Sequence, residues 1–484
     1  MDLNFLMGFG VLFVIGTFIL YRSKNERHFI IFLIRTKHFL KFINSISRIS
    51  PRFWNFFADL AIFISFSGLG AAYLSRYRKL SKNLDIILLV FGGFAILIWS
   101  NSWLIFILMM IILFIGIKSL NRIKNPVSDF IVSTLFISLI WLKVVIWYIA
   151  ILEGMFGLLV FIFGPLIMHA FDIAAGKTSI PGVSPIVPGS EGGRIGFVVP
   201  GMNVFIPLGY GLVAIIILLV VHEFSHGILA RTNEIRLKST GLLTLGPVPV
   251  GAFVEPDEEK FQRSESIKKM RVLAVGSISN IFTAVLCLII FIFLIIPSNG
   301  LIVEKSTIEE IPPRTRIEMV NNIIISLDAI SATMANYVFT ENFYNLAELV
   351  GNESTVNLTT DKGIFTLDSE KISGLTLVYV PKFRYNVEIM GTNLFLVLAG
   401  ILFWAYFFNL NVGLVNLLPI APFDGGKMVM ELISMFSPNE TILKRITYAI
   451  LLVGIIIILI NALPLVNMAL DYISGIDYSS FLPI

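Results

Sequence analysis

The chain contains several uninterrupted apolar runs of about 18–20 residues, the length that takes an α-helix across the hydrocarbon core of a bilayer. Of its 484 residues, 56% are hydrophobic and 14% are charged, against about 25% charged in an ordinary soluble chain. Both features point to a polytopic α-helical membrane protein.

Leu3–Tyr21 reads as a first span. A cleaved signal peptide opens on a basic segment, and only Asp2 precedes this run, so the span is expected to stay uncleaved. His28–Ile49 mixes apolar and basic residues and reads as an amphipathic helix on the inner membrane surface. Phe53–Tyr73 reads as the second span. Leu84–Leu120 is too long for one crossing, and "SNS" at Ser100–Ser102 offers a turn. Val127–Phe171 is again about two spans long, which leaves the number of N-terminal crossings open.

Charge and cysteine content narrow the class further. The net charge is +4, and the basic residues gather at span edges, as in Arg22–Arg27, Arg35–Arg52 and Arg76–Lys82. That is the bias of cytoplasmic loops and argues against nucleic-acid binding. Cys287 is the only cysteine, which excludes an intramolecular disulfide and a zinc finger.

From Gly176 the character changes. Gly176–Pro207 is rich in Gly, Pro and Ser and nonhelical by composition. Leu208–Ala230 is a span. Leu237–Val254, "LKSTGLLTLGPVPVGAFV", is apolar yet studded with Gly and Pro, so a β-hairpin that dips into the membrane region is expected. Val272–Pro297 is another span. Residues 298–388 alternate like strands, carry charge and have the size of a small soluble domain. Thr392–Leu418 and Ile446–Val466 return to the membrane.

The span at Leu208–Ala230 contains "LLVVHEFSHGILA". His222 and His226 are four apart and share one helix face, with Glu223 beside them. Polar and ionisable groups are expensive at membrane depth, which marks the trio as functional. Catalytic zinc takes three protein ligands, so a third must come from elsewhere. Of the five histidines, His28 and His38 lie in the basic surface region, and His169 reads as a packing histidine. The best third ligand is Asp424, in "NLLPIAPFDGGK" (Asn416–Lys427), on a segment broken by Pro and Gly after an apolar span.

"HEFSH" in a span, followed by "NLLPIAPFDGG", resembles the site-2 protease family of intramembrane zinc metalloproteases, over roughly Gly176 to Lys427. The resemblance implies zinc ligands at His222, His226 and Asp424, and Glu223 as the catalytic carboxylate. "GSISN", Gly276 to Asn280, is similar to the family's Gly-Pro-x-x-Asn box, with Ser277 in place of Pro. On that likeness Asn280 and Asn416 are substrate-binding positions lining the cleft. "IPPRTRIEMVNNIIISLDAIS", Ile311 to Ser331, resembles a PDZ segment, with Asn321-Asn322 where Gly-Asp is usual.

The expected architecture therefore has four parts: N-terminal spans (1–175), the first half of a catalytic core with the HExxH span and membrane-dipping loops (176–297), an extracytoplasmic PDZ-like α/β insertion (298–388), and the second half of the core with the Asp-Gly motif and a last span (389–484). The expected activity is hydrolysis of peptide bonds within transmembrane segments, in regulated intramembrane proteolysis. The expected partners are Zn2+, transmembrane protein substrates and the lipid bilayer. Arg231, Arg236, Lys238 and Lys260–Arg271 follow the HExxH span and mark a cytoplasmic end, ~7–13 Å from the two histidines. A zinc transporter is the alternative, but it wants a second span with ligating histidines and often a His-rich loop, whereas His169 reads as packing and no His-rich loop is present in the sequence. A silent adaptor on the same fold has no need of Glu223.

Overall fold

In the computed structural model residues 3–474 are described, apart from 24–25, 124, 192–193, 203, 339–342, 345, 347–349, 351–353, 386, 390–391, 421 and 437–438. The apolar runs fold as helices, and Pro or Gly marks an end of three of them, α3, α6 and α7. Leu3–Arg22 (α1), Leu40–Ile49 (α2) and Pro51–Arg76 (α3) are followed by Leu84–Trp99 (α4) and Trp103–Ile123 (α5), which Ser100–Ser102 separates. Pro126–Trp141 (α6), Trp147–Phe156 (α7) and Leu158–Ala174 (α8) complete the N-terminal set. Pro51 and Pro126 stand in the first turns of α3 and α6, where a missing N–H is harmless. Gly157 ends α7 at φ +63°, which a residue without Cβ adopts freely.

Among the described residues five helices are long and apolar enough to cross a membrane: Pro51–Arg76, Leu208–Thr232, Ser266–Leu294, Leu394–Val415 and Thr441–Leu470. The chain is a multi-pass membrane protein, mostly helical. The second span read from the sequence needs correction, however. The α3 backbone leaves helical geometry at Ser67 (φ 42°, ψ −109°) and folds back. A Cβ on Gly70 would lie 2.6 Å from Ile62 O. Ser81 and Asn83 both donate to Asp59 Oδ2 at 2.7 Å, although 22 residues of straight helix would hold Ser81 ~33 Å away. The segment is two half-helices turned against each other, and its apolarity gave no sign of the reversal.

The chain divides into two compact units. One comprises Met7–Ser184, Ile216–Thr283 and Phe408–Ile484; the other takes in Pro185–Ile215 and Ala284–Phe407. In the first, a four-stranded antiparallel sheet runs in the order β1 (Glu26–His28), β2 (Ile31–Thr36), β6 (Leu237–Leu245), β7 (Val248–Pro256). Here too the sequence reading changes. Only Leu40–Ile49 of the expected amphipathic helix is helical, because "IFLIRT" pairs with β6 from Ile31↔Leu245 to Thr36↔Thr240. The expected hairpin at Leu237–Val254 is present as β6–β7, turning on Gly246 (φ +54°) and Pro247. Its tip rests on α1, where a Cβ at Gly16 would come within 2.5 Å of Pro247 Cβ. Among the described residues β7 has a strand partner on one side only, β6.

Leu208–Thr232 (α9), Glu258–Arg263 (α10) and Ser266–Leu294 (α11) follow the Gly/Pro segment and the hairpin. Within the first unit Asp59 and Arg271 form a buried two-point ion pair, with Arg271 Nε 2.7 Å from Oδ1 and Nη2 2.9 Å from Oδ2. Nη2 also donates to Leu80 O at 3.2 Å, so one guanidinium joins the first arm of α3 and the turn beyond the second to α11.

In the second unit the Gly/Pro segment forms a three-stranded sheet of β3 (Val187–Glu191), β4 (Arg194–Val199) and β5 (Val204–Pro207). The insertion between spans is an α/β domain, which the short strand β8 (Ile295–Ile296) precedes. Its seven-stranded sheet runs β12 (Phe343–Tyr344), β15 (Leu375–Val378), β9 (Leu301–Ser306), β10 (Arg316–Val320), β13 (Thr355–Thr360), β14 (Gly363–Asp368), with β11 (Ile323–Ile324) on β10. Asn321 and Asn322 make the β10–β11 turn at φ 47° and 64°, the left-handed region that asparagine tolerates best after glycine. Helix α12 (Ala329–Val338) stacks Tyr337 on Phe403 at 5.7 Å, and Tyr337 donates its hydroxyl to Leu396 O. Leu394–Val415 (α13), Asp424–Ile433 (α14) and Glu440–Ser474 (α15) complete the chain.

Candidate metal centre

Helix α9 presents His222 and His226 one turn apart, their rings 4.7 Å apart and at 80°. Their Nε2 atoms are 3.1 Å from each other. Asp424, first residue of α14, brings Oδ2 to 3.3 Å from His222 Nε2 and 3.1 Å from His226 Nε2. Ligands ~2.0–2.1 Å from a tetrahedral zinc stand ~3.3–3.4 Å from one another. The three atoms therefore have nearly the spacing of one face of such a tetrahedron, and two imidazoles with one carboxylate form a donor set of catalytic zinc. The residues present fit the ion.

Asp424 reaches this position because the chain after α13 doubles back. Gly425 N donates to Asn416 O at 2.8 Å. A Cβ on Gly425 would meet Leu417 O at 2.1 Å, so only glycine permits that closure. Asn416, expected as a cleft residue, thus contributes its backbone carbonyl to the loop that presents Asp424. Glu431 ties α14 to the start of α11: Oε1 is 2.5 Å from Lys269 Nζ, and Oε2 accepts from Ser266 Oγ at 2.6 Å.

Helix α11 shapes the other side. His226 donates Nδ1–H to Val272 O at 2.6 Å, which leaves its Nε2 lone pair for a ligand role. A Cβ on Gly276 would lie 2.3 Å from His226 Nε2 and 2.9 Å from His222 Cε1, so this glycine lets the backbone touch both rings. Asn280 is fully buried, with Nδ2 3.2 Å from His222 Nδ1. Glu223 accepts a hydrogen bond from Val254 N at 3.0 Å, on the strand β7. On the far side of α9, Phe39 and Phe42 pack on Phe224 at 5.6 and 5.9 Å.

His169 bonds Ile180 O at 3.0 Å and takes no part in the cluster. The contributions of Val272 and Val254 have no signature in the sequence, because each acts through a backbone atom. Gly276 stood in a recognised box; its contact with the imidazoles was the missing element.

An apolar helix carrying two histidines, closed by a carboxylate from the start of α14, is a candidate metal centre of the kind found in membrane metallopeptidases. The description "Peptidase family M50" matches residues 210–464, more than half of the chain, and the chain belongs to this family, the site-2 proteases. Among individual relatives, an uncharacterized protein of Methanocaldococcus jannaschii is 26% identical over 220 residues. That alignment covers 46% of this chain and 56% of the relative, so the chain spans little more than half of the relative's length.

Proposed function

We propose that the protein is a zinc-dependent intramembrane endopeptidase that cuts transmembrane segments of other membrane proteins. The observation that carries this reading is the convergence of His222 Nε2, His226 Nε2 and Asp424 Oδ2 within 3.1–3.3 Å, next to Glu223 in an apolar helix. Those three side chains would hold the ion. Bound there, zinc supplies Lewis acidity toward water and a peptide carbonyl.

The chain's own groups account for the rest. Glu223 takes the proton of the attacking water and passes it to the leaving amine. Its bond to Val254 N sets the carboxylate beside β7. A substrate helix hides its carbonyls in the i→i−4 ladder and has to unwind before cleavage. The side of β7 without a strand partner offers backbone groups to the unwound segment by strand addition. The hairpin β6–β7 dips into the membrane region, the PDZ-like insertion lies outside the cell membrane, and the centre stands near the cytoplasmic side, as the Arg231–Arg271 flank suggests.

The test is direct. Protein purified in detergent should carry about one zinc per chain, the stoichiometry of a three-ligand site, and should cleave a transmembrane peptide. His222→Ala should lose most of the zinc. Glu223→Gln should retain it and lose cleavage by about a hundredfold or more. Undiminished zinc in the first variant, or a tenth of the parental rate in the second, refutes the assignment.

A further inference from the structure

We propose that Asn280 is a positioning residue for His222: its amide oxygen accepts the Nδ1–H of that imidazole and thereby directs the Nε2 lone pair into the metal centre. This rests on the zinc reading above and gives one buried side chain a role in it, in place of the substrate-binding role expected from the sequence.

Asn280 is 0% exposed, and among the described residues its Oδ1 has no hydrogen-bond partner, while Nδ2 faces His222 Nδ1 at 3.2 Å. A buried amide oxygen without a donor is costly. If Nδ2 donated to Nδ1, the imidazole proton would be on Nε2, the atom that points at His226 Nε2 and Asp424 Oδ2. A protonated Nε2 cannot bind a cation. The two ends of a carboxamide have nearly the same shape, so chemistry decides between them. A half-turn of the amide puts Oδ1 on Nδ1–H. It relieves the unmatched oxygen and frees the lone pair in one step.

The neighbouring histidine supplies an independent parallel. His226 already donates Nδ1–H to Val272 O at 2.6 Å and presents Nε2 to the cluster. Val272, Gly276 and Asn280 follow at intervals of four, so they form a single stripe along α11. Its first position orients one imidazole through a carbonyl, its second lies against both rings, and its third orients the other imidazole through an amide. Hydrogen bonds of this kind fix the tautomer and direction of a ligating histidine.

Zinc affinity of the full chain in detergent, measured by competition with a chromophoric chelator, tests the assignment without recourse to proteolysis. Asn280→Leu fills a similar volume but has no acceptor, and affinity should fall about 10- to 100-fold. Asn280→Asp keeps an acceptor and should bind within a few-fold of the parent. The unfolding midpoint of the metal-free protein accompanies both, and Asn280→Ala replaces the leucine variant if that one does not fold. Parental affinity in the leucine or alanine variant overturns the inference, as does a loss in Asn280→Asp as large as that in Asn280→Leu. A parent chain that binds no zinc removes the centre itself, and the inference with it, a result distinct from either.

Discussion

Gly276 decides how closely α11 approaches the two imidazoles. In an exposed helix, Gly→Ala is favourable by up to ~1 kcal/mol. Here the added methyl would meet His226 Nε2 at 2.3 Å, and the obstacle is a ring already held by Val272 O. Gly276→Ala should therefore reduce zinc content at least tenfold in desalted protein while the metal-free chain still folds; a full complement of zinc in that variant would contradict the geometry. At this scale much of the site was legible. Two imidazoles and a carboxylate in an apolar helix stand out because such groups are expensive in lipid. Asp424 was legible from its Pro- and Gly-broken surroundings, which promise a chain that leaves the helix. Val272 and Val254 were not, since any residue supplies a carbonyl or an N–H.

The hairpin in α3 shows where patterning fails at the level of elements. "FISFSGLGAA" is apolar and free of Pro, and it scans as unbroken helix. The only hint was the Ser/Gly content around Ser67, a composition found at sharp helix kinks. Both arms share one apolar core, and a buried polar network adds to it: Asp59 on the first accepts from Ser81 and Asn83 just beyond the second, and from Arg271 on α11. Asp59 is 0% exposed and Arg271 4%. Removing one partner of such a pair strands the other charge, at about 3–5 kcal/mol, whereas replacing both by apolar residues is often neutral. Arg271→Met alone should lower stability by that amount, and Asp59→Leu with Arg271→Met should recover most of it, read from denaturant unfolding of detergent-solubilised protein. Equal losses in the single and double variants would show that the network does not hold the hairpin. The strand at Ile31–Thr36 was missed for a related reason. A short run of apolar and basic residues suits an amphipathic helix, and only a partner distant in sequence, β6, made it a strand.

For the molecule as a whole, the division into units separates the candidate ligands from the α/β insertion. All three candidate ligands and Glu223 lie in the unit of Ile216–Thr283 and Phe408–Ile484, and the α/β insertion lies in the other. Replacing residues 298–388 with a short linker should leave the zinc in place. Cleavage of substrates with bulky external domains should then rise or stay level, as expected if the insertion acts as a size filter. A folded, zinc-loaded deletion that cleaves nothing would show that the insertion belongs to the cutting machinery. The reversal at Ser67 has its own bearing on topology, in the arithmetic of sidedness. A segment that ends level with its start changes the parity of membrane crossings by zero, although its hydropathy scores it as one. Counting apolar peaks from the N-terminus therefore scores α3 as one crossing where its backbone turns back at Ser67. A reporter fused just before Pro51 and another fused after Lys82 share a compartment, and a topology map that separates them has counted α3 once too often.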